Sequence, residues 1–366
     1  MSVDDFFSHD YASARALFLA AAAESGLAVV SHPHALSGPN GEALALDLVT
    51  LCPDRSAPCR AERVFVALSA THGVEGFVGA AAQVAWLKKQ YWKKVPAGIS
   101  VLLLHAVNPH GFAWLRRVTE DNIDLNRNFA DFSKPLPRKP AYEELAAAIC
   151  PKTWTPESVT AADAILAAFA ERHGQRALNR AIMGGQFTHA DGVFYGGTKA
   201  SWSRETVMKI LTSYCSAAKH VAILDFHTGL GAFGNGASYC VGDEGSASVT
   251  KAHDVWGDDA QVMAAAPGSG VHDGYNLTGI ARLMSQTCVY GNTLEFGTYP
   301  TDEMMRAVRA DNWLHLHGDH GSPQGRAIKA EMKRVFYPEA SEDWKARVLA
   351  RSLSVWERGI AGLAQL

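Results

Sequence analysis

The chain of 366 residues is 48% hydrophobic, which is enough for a large buried core and argues against disorder. Its formal net charge of -3 includes no excess of basic residues, so we expect neither nucleic acid nor an anionic membrane as a partner. Small molecules or peptides are the partners that this balance favours. The acidic N-terminus lacks the positive region of a signal peptide, and no apolar run approaches the roughly 18 residues of a membrane span. We therefore expect a cytoplasmic protein.

The chain contains six cysteines, at positions 52, 59, 150, 215, 240 and 288, and no C-x-x-C pair occurs among them. We expect reduced thiols, as is usual in a cytoplasmic protein. A disulfide between Cys52 and Cys59, which flank a Pro/Ser/Arg turn, is the alternative.

The first third of the chain predicts a helix, a hairpin and a βαβ unit. A helix over residues 10–26 precedes two strands at 27–30 and 43–49, which are typical of an edge hairpin around a Pro/Gly loop. Continuous apolar runs at 64–70 and 98–107 are typical of strands buried on both faces of a parallel sheet. Strands that alternate with helices predict parallel βαβ units.

The turn between the first buried strand and the helix predicted at 76–89 carries His72 and Glu75. Ligands collect beyond the carboxyl ends of strands in α/β sheets. The H-x-x-E spacing lets an imidazole nitrogen and a carboxylate oxygen both reach one ion at about 2 Å, the distance that zinc requires. This spacing is common by chance, and a turn histidine beside a surface glutamate is the alternative. A metal site therefore needs a third ligand from elsewhere in the chain.

Two polar motifs follow the second buried strand. N-P-H-G-F occupies residues 108–112, and a loop with Arg116 and Arg117 leads to D-L-N-R-N-F at 124–129. A loop that only makes turns would not explain two closely spaced arginines. The order and spacing of H-x-x-E and these two motifs resemble those of the carboxypeptidase A-like zinc metallopeptidases.

Two later strands supply further polar residues. The apolar run 220–226 ends at His227, at the carboxyl end of a buried strand, where the third ligand is expected. A last core strand at 288–296 carries Glu295, and the segment 293–298 matches the final catalytic segment of the resembling family.

The remaining segments are predicted more coarsely. We expect helices at 141–150, 156–183 and 203–216, glycine-rich loops near the cleft at 184–186 and 194–197, a strand at 238–241, a loop from Pro267 to Tyr275, and helices at 303–317 and 324–366. The C-terminal helices are expected either to cap the sheet or to make a subunit contact.

These patterns and the resemblance together predict an α/β fold with a mixed, largely parallel central sheet flanked by helices, of the zinc carboxypeptidase-like (phosphorylase/hydrolase-like) type. We expect one catalytic domain over residues 1–366. It would contain a variable insertion at about 130–216 and a helical C-terminal extension at about 303–366. The sequence does not predict an oligomeric state.

The resemblance implies one Zn²⁺ per chain, held by His72, Glu75 and His227. A fourth position stays open for water, whose pKa the metal lowers toward about 7. The resemblance also implies that Glu295 takes a proton from that water and delivers it to the leaving amine. Arg117 is the expected oxyanion donor, because a guanidinium holds a developing negative charge.

Further roles follow from the same resemblance. Asn126 and Arg127 match the pair that binds the substrate's terminal carboxylate, which suits a guanidinium fork. Asp124 matches the outer carboxylate that orients the first histidine ligand, and Asp225 could do the same for another ligand. Tyr275 has the position of the family's mobile tyrosine, some twenty residues before the catalytic glutamate, without a strong local motif. Arg116 is the competitor of Arg117.

Three functions remain open at this point. The first is a metallocarboxypeptidase that acts on peptides. The second is an N-acyl amino acid deacylase resembling aspartoacylase and succinylglutamate desuccinylase, which share H-x-x-E, D-L-N-R and D-x-H-T type motifs; residues 225–228 favour it somewhat. The third is an inactive binding module, which would be expected to lack Glu295 or a ligand. A second metal site at His315, His317 and His320 is not expected, because helix positions 315 and 317 point about 200° apart.

Overall fold

One sheet organises the part of the chain that the computed structural model describes, namely residues 2–52, 61–240, 242, 245–257, 259–262 and 274–366. Its strands are β1 (Val29–Ser37), β2 (Ala43–Leu51), β3 (Arg63–Leu68), β4 (Ile99–His105), β5 (His220–Phe233), β6 (Gly236–Cys240), β7 (Ala260–Val262) and β8 (Cys288–Gly297).

Helices flank this sheet. In chain order they are α1 (Tyr11–Glu24), α2 (Gly76–Lys88), α3 (Pro109–Ala113), α4 (Pro140–Ile149), α5 (Pro156–His173), α6 (Gln175–Met183), α7 (Trp202–Tyr214), α8 (Ala247–Trp256), α9 (Asn276–Leu283), α10 (Thr301–His317), α11 (Pro323–Phe336) and α12 (Glu342–Leu363). Short 3-10 turns at Gly73–Glu75 and Leu125–Arg127 carry two of the predicted motifs.

The strand order is β1-β2-β4-β3-β5-β8-β6-β7. The four central strands β4, β3, β5 and β8 are parallel, whereas the β1–β2 hairpin joins β4 in antiparallel fashion and β6 joins β8 in the same way. The predicted mixed, largely parallel sheet flanked by helices is confirmed. The edge hairpin is confirmed as well.

The alternation of side chains along β3 shows why its sequence is apolar throughout. Phe65 and Ala67 belong to the core on the side of α1, α2 and α12, whereas Val64, Val66 and Leu68 belong to the core beneath α7 and α9. Side chains of a strand alternate between faces, so a strand covered on both faces needs apolar residues at every position. The helix α2 is likewise buried from Gly76 to Leu87, because it lies between the sheet and other helices.

Two predicted helices are each divided in two. The helix expected at 156–183 breaks at Gly174, whose φ of 88° is a conformation that glycine adopts at little cost. The helix expected at 324–366 breaks between Phe336 and Glu342, where Pro338 cannot continue a helical hydrogen-bond ladder. The other predicted helices begin and end within about two residues of their predicted bounds, whereas α3, α8 and α9 were not predicted.

The cysteines and one loop need separate mention. Cys150, Cys215, Cys240 and Cys288 are free thiols, as expected. Cys52 is disulfide-bonded, so the expectation of a reduced thiol is wrong there, and Cys59 lies outside the described residues. The predicted loop from Pro267 also lies outside them until Gly274. In the described part of the chain, no helix is long and apolar enough to cross a bilayer.

Candidate metal and active site

The H-x-x-E turn is held in place by the N-P-x-G-F segment. A Cβ atom at Gly73 would lie 2.0 Å from the backbone carbon of Gly111, so only glycine allows this close approach. The backbone N–H of Val74 donates to the Arg116 carbonyl at 2.8 Å, and that of Gly73 donates to the Arg117 carbonyl at 3.2 Å. The H-x-x-E turn is therefore fixed by close packing against Gly111 and by backbone hydrogen bonds to the arginine loop that follows.

The third ligand and the predicted proton shuttle come from neighbouring strands. In the parallel β5–β8 pair, His227 is registered directly with Glu295. Paired residues project from the same face of a sheet, so both side chains enter the same cavity, which His72 and Glu75 also line.

Three donor groups converge as ligands of one ion would. His72 Nδ1 lies 2.9 Å from Glu75 Oε1, and His227 Nδ1 lies 3.2 Å from both Glu75 Oε2 and His72 Nδ1. Tetrahedral ligands at the Zn–N distance of about 2.0–2.1 Å would be roughly 3.3 Å apart. All three residues are buried, and their ligand atoms lie within 4.8 Å of one another. The donor set therefore fits a zinc ion.

Two carboxylates stand behind the two imidazole rings. Asp124 Oδ1 lies 3.3 Å from His72 Nε2, and Asp225 Oδ2 lies 2.8 Å from His227 Nε2. Both distances are short enough for an ion pair, although neither contact has the geometry of a hydrogen bond. Asp225 is fixed in turn by the hydroxyl of Thr71, which donates to it at 2.7 Å. Each carboxylate is thus placed to orient a ligand ring, as the resemblance implies.

Burial and mutual attraction set the charges of this group. Burial alone would raise the pKa of Glu75, but His72 and His227 outweigh it and hold that pKa below its usual value. Burial alone would lower the pKa of His227, but Asp225 and Glu75 outweigh it and raise that pKa well above its usual value. The pKa of Asp124 is well below its usual value because Arg117 and His72 outweigh burial.

The surroundings of Glu295, in contrast, disfavour its charged form. Burial, together with the negative charge of Glu75, raises its pKa to about 7. One oxygen, Oε1, accepts a hydrogen bond from the backbone N–H of Leu230 at 3.0 Å. A carboxyl whose pKa is close to neutrality can both take up and release a proton.

The two cavity arginines differ in their partners. Arg117 ion-pairs with Glu75 at 3.1 Å and with Asp124 at 3.0 Å. Arg127 donates to the backbone carbonyls of Asn126 and Met183, both at 2.7 Å, and its Nε has no partner. Arg127 is therefore a buried cation that no carboxylate of the described residues contacts directly.

Two predicted residues occupy different surroundings from those expected. Arg116 does not line the cavity; it is buried against Asp311 at 3.2 Å and Asn122 at 2.9 Å. Tyr275 does line the cavity, but it is buried and its hydroxyl lies 3.2 Å from Thr293 Oγ1. The structure therefore brings together every predicted site residue except Arg116.

The cavity has a volume of about 410 Å³. Its lining includes the polar residues described above. Its apolar lining residues, which we name the apolar wall, are Met183, Phe194, Leu230, Met304, Met305 and Val308. The wall comes from α6, α10, β5 and the glycine-rich segment at 184–197, so the loops expected near the cleft do lie there. The rim of the cavity also includes Arg180 of α6.

Sequence analysis missed several residues of this site. Asn276 donates to Asp225 Oδ2 at 2.6 Å, and its backbone N–H donates to Asn126 Oδ1 at 3.0 Å. Its position directly after Tyr275 was its only sign in the sequence. Tyr239 and the apolar wall gave no sign, because no motif surrounds them.

The histidines near the end of α10 have other partners. His315 and His320 pack with ring centroids 4.2 Å apart, and His315 Nε2 lies 2.7 Å from Lys329 Nζ. In the described ranges, His72, Glu75 and His227 form the one group of three or more possible ligands.

Fold and site together define a mixed α/β protein with a buried His-Glu-His group at the carboxyl ends of parallel strands, able to hold a metal ion. The chain belongs to the family described as "Protein of unknown function (DUF2817)", which matches residues 7–351. No curated protein matches the sequence.

Several solved structures are similar. Bovine thrombin-activatable fibrinolysis inhibitor, in complex with tick carboxypeptidase inhibitor, is 11% identical over 96% of this chain and 99% of its own, with a TM-score of 0.47. Carboxypeptidase A from Helicoverpa armigera is 12% identical over 90% and 75%, with a TM-score of 0.44. An aspartoacylase family protein from Mesorhizobium loti is 12% identical over 81% and 68%, with a TM-score of 0.34.

Proposed function

We propose that this protein is a zinc-dependent hydrolase that cleaves an amide bond next to a carboxylate-bearing residue, acting as a metallocarboxypeptidase. One observation carries the proposal: a single cavity holds the convergent donors of His72, Glu75 and His227, the high-pKa carboxyl of Glu295, and the buried cation Arg127. A buried cation without a direct carboxylate partner favours an anionic ligand.

Substrate binding is assigned to Arg127 and Asn126. Arg127 lines the cavity, its guanidinium bonds only to backbone carbonyls among the described residues, and a guanidinium fork suits a carboxylate. The backbone of Arg127 is confined, because a Cβ at Gly274 would lie 1.9 Å from the Arg127 carbonyl oxygen. A carboxylate bound there would be held at a defined distance from Glu295.

Proton transfer is assigned to Glu295. Zinc, when bound, supplies Lewis acidity and lowers the pKa of a water to about 7. Glu295 would accept a proton in its ionised form and return it to the leaving nitrogen in its neutral form. The hydrogen bond from Leu230 to Oε1 leaves the second oxygen of Glu295 available for this transfer.

Arg117 is assigned to the developing oxyanion. It is already in contact with Glu75 and Asp124, so its guanidinium is fixed before the substrate arrives. A donor fixed in advance needs no reorganisation as charge develops. Through the same contacts, Arg117 also helps to position the metal ligand Glu75 and the carboxylate of Asp124, which orients His72.

The test combines metal analysis with a substrate panel. Purified protein is expected to contain one zinc per chain, and His227→Ala is expected to lose it; zinc that remained in that variant would mean that the third ligand is wrong. The panel compares each peptide that has a free C-terminal carboxylate with the same peptide amidated at its C-terminus. A carboxypeptidase cleaves only the free-acid forms, and equal cleavage of both would contradict the assigned role of Arg127.

One observation keeps a second function in view. The D-F-H-T sequence at 225–228 places Asp225 2.8 Å from the ring of His227, as the deacylase-type motif suggests. An N-acyl amino acid deacylase would either require a carboxylate on the acyl group that it removes, or prefer short N-acyl amino acids to peptides. The panel therefore includes N-acetyl and N-succinyl amino acids. A zinc-loaded protein inactive on every substrate would instead favour a binding module.

A further inference from the structure

Tyr239 lines the same cavity as Glu295 and has no role so far. It lies on β6, which pairs antiparallel with β8, so that Ala237 is opposite Glu295 and Tyr239 is opposite Thr293. Opposite residues share a face of the sheet, and diagonal neighbours remain within reach of an aromatic side chain. Tyr239 and Glu295 are such diagonal neighbours on the face that forms the cavity.

The phenol of Tyr239 is available to a ligand. Its side chain is half-buried, and in the described part of the chain no hydrogen bond engages its hydroxyl. Burial, together with the charge of Glu295, raises the pKa of Tyr239, so the hydroxyl stays protonated and can donate. Tyr275, the predicted tyrosine, is less available because its hydroxyl contacts Thr293 and its side chain is buried.

The strand order decides which part of a substrate Tyr239 would meet. His72 follows β3, His227 and Glu295 lie on β5 and β8, and Tyr239 lies on β6, one strand further in the same direction. The segment with Arg117 and Arg127 follows β4, at the opposite end of this series. Arg117, held by Glu75 and Asp124, therefore approaches the metal-ligand group from the His72 side, and Tyr239 approaches it from the Glu295 side.

We propose that Tyr239 is a substrate-binding residue, whose hydroxyl donates a hydrogen bond to a carbonyl oxygen on the acyl side of the scissile amide. This inference rests on the proposed function, in which Arg127 binds the carboxylate on the leaving side. Its consequence is that the preferred substrates carry a hydrogen-bond acceptor beyond the scissile carbonyl. A peptide has such an acceptor, whereas an amino acid acylated with a plain hydrocarbon chain does not.

The experiment compares two substrates of similar length on zinc-loaded protein. One is an N-acetyl dipeptide, which has the extra carbonyl, and the other is an N-acyl amino acid whose acyl chain is a hydrocarbon. Tyr239→Phe should lower kcat/KM about three- to tenfold for the dipeptide, the effect of one lost hydrogen bond, and leave the hydrocarbon substrate within about twofold. Tyr290→Phe is the matched control, since Tyr290 lies on β8 but on the opposite face and is buried.

Three outcomes would overturn the inference. The first is a wild-type protein that cleaves the dipeptide while Tyr239→Phe cleaves it equally well. The second is an equal loss on both substrates, which would indicate a general structural effect. The third is a loss in Tyr275→Phe without one in Tyr239→Phe, which would return the role to the predicted tyrosine.

Failure of the proposed function is recognised separately. If wild type shows no turnover, the dipeptide is titrated calorimetrically into zinc-loaded Glu295→Gln protein, with and without Tyr239→Phe. A three- to tenfold weaker Kd in the double variant would support the Tyr239 contact without any catalysis, since the lost hydrogen bond is the same. An unchanged Kd, or no binding at all, would overturn it.

Discussion

Arg117 and Arg127 line the same cavity, yet their charge partners differ. Arg127 is free to bind a substrate carboxylate, a contact made equally in the ground and transition states, so Arg127→Ala should raise KM more than it lowers kcat. Arg117 is placed to hold a charge that develops only in the transition state, so Arg117→Ala should lower kcat by roughly 10²–10³. Steady-state kinetics on a free-acid peptide measure both effects.

The ion pair between Arg117 and Glu75 requires a control. Loss of Arg117 could release zinc, so the metal content of each variant is measured in the same sample. Arg116→Ala is a second control, because Arg116 pairs with Asp311 outside the cavity. If Arg117→Ala kept kcat and raised KM, the two cavity assignments would have to be exchanged.

The proton transfer assigned to Glu295 can be tested by a substitution that keeps the shape of the side chain. Glu295→Gln keeps the size of the side chain but cannot relay a proton, so turnover should fall by about 10²–10⁴ while zinc content and fold remain. Elemental analysis and circular dichroism accompany the kinetics. Activity within a fewfold of wild type would exclude Glu295 from the mechanism.

The pKa of Glu295 also predicts a pH dependence. Glu295 accepts a proton only when ionised, and burial and Glu75 raise its pKa to about 7. A bound cation stabilises the ionised form and moves this pKa downward. With zinc bound, the pKa of Glu295 should therefore be at or below 7. As the pH falls below that pKa, the kcat/KM of the wild type should fall about tenfold per pH unit. A profile with no acid limb at any pH at which the protein stays folded and keeps its zinc would contradict this assignment.

At the scale of elements, the sequence predicted those strands and polar residues that a continuous local pattern marks. The strands β3 and β5 follow from apolar runs, and the polar residues at their carboxyl ends follow from motifs. The apolar wall could not be predicted, because α6 and α10 reach the cavity through contacts that are distant in sequence, such as the carbonyl of Met183 on Arg127. The place of Arg116 was equally inaccessible, since its partner Asp311 is 195 residues away.

The helix α12 caps the sheet, one of the two roles expected for the C-terminal helices. Trp356 is fully buried and stacks on Trp86 and Phe65, with centroid distances of 5.1 and 5.9 Å. Trp356→Ala should therefore lower the free energy of unfolding by about 3–5 kcal/mol, measured by urea denaturation. Trp313→Ala, at a half-buried position, should cost less. Equal losses in the two variants would contradict a core role for α12.

At the scale of the whole molecule, the metal-ligand group joins segments that are far apart in the chain. His72 and Glu75 follow β3, whereas His227 lies on β5, 152 residues beyond Glu75. A ligand that binds only the folded state stabilises it by mass action. Without metal, Asp225 and Glu75 outweigh burial and raise the pKa of His227 well above its usual value, so zinc must compete with a proton for this ring.

Zinc binding should therefore both stabilise the protein and release protons. At a free zinc concentration about 1,000 times Kd the gain is about 4.1 kcal/mol, so chelation should lower Tm by about 5 °C for a chain of this size. The apparent affinity should rise with pH, because zinc binds only the neutral form of His227. Calorimetric titrations at pH 7 in two buffers of different ionisation enthalpy should give different heats that correspond to released protons. His227→Ala should show neither the Tm shift nor the buffer-dependent heat, and a variant that kept both would place the metal elsewhere.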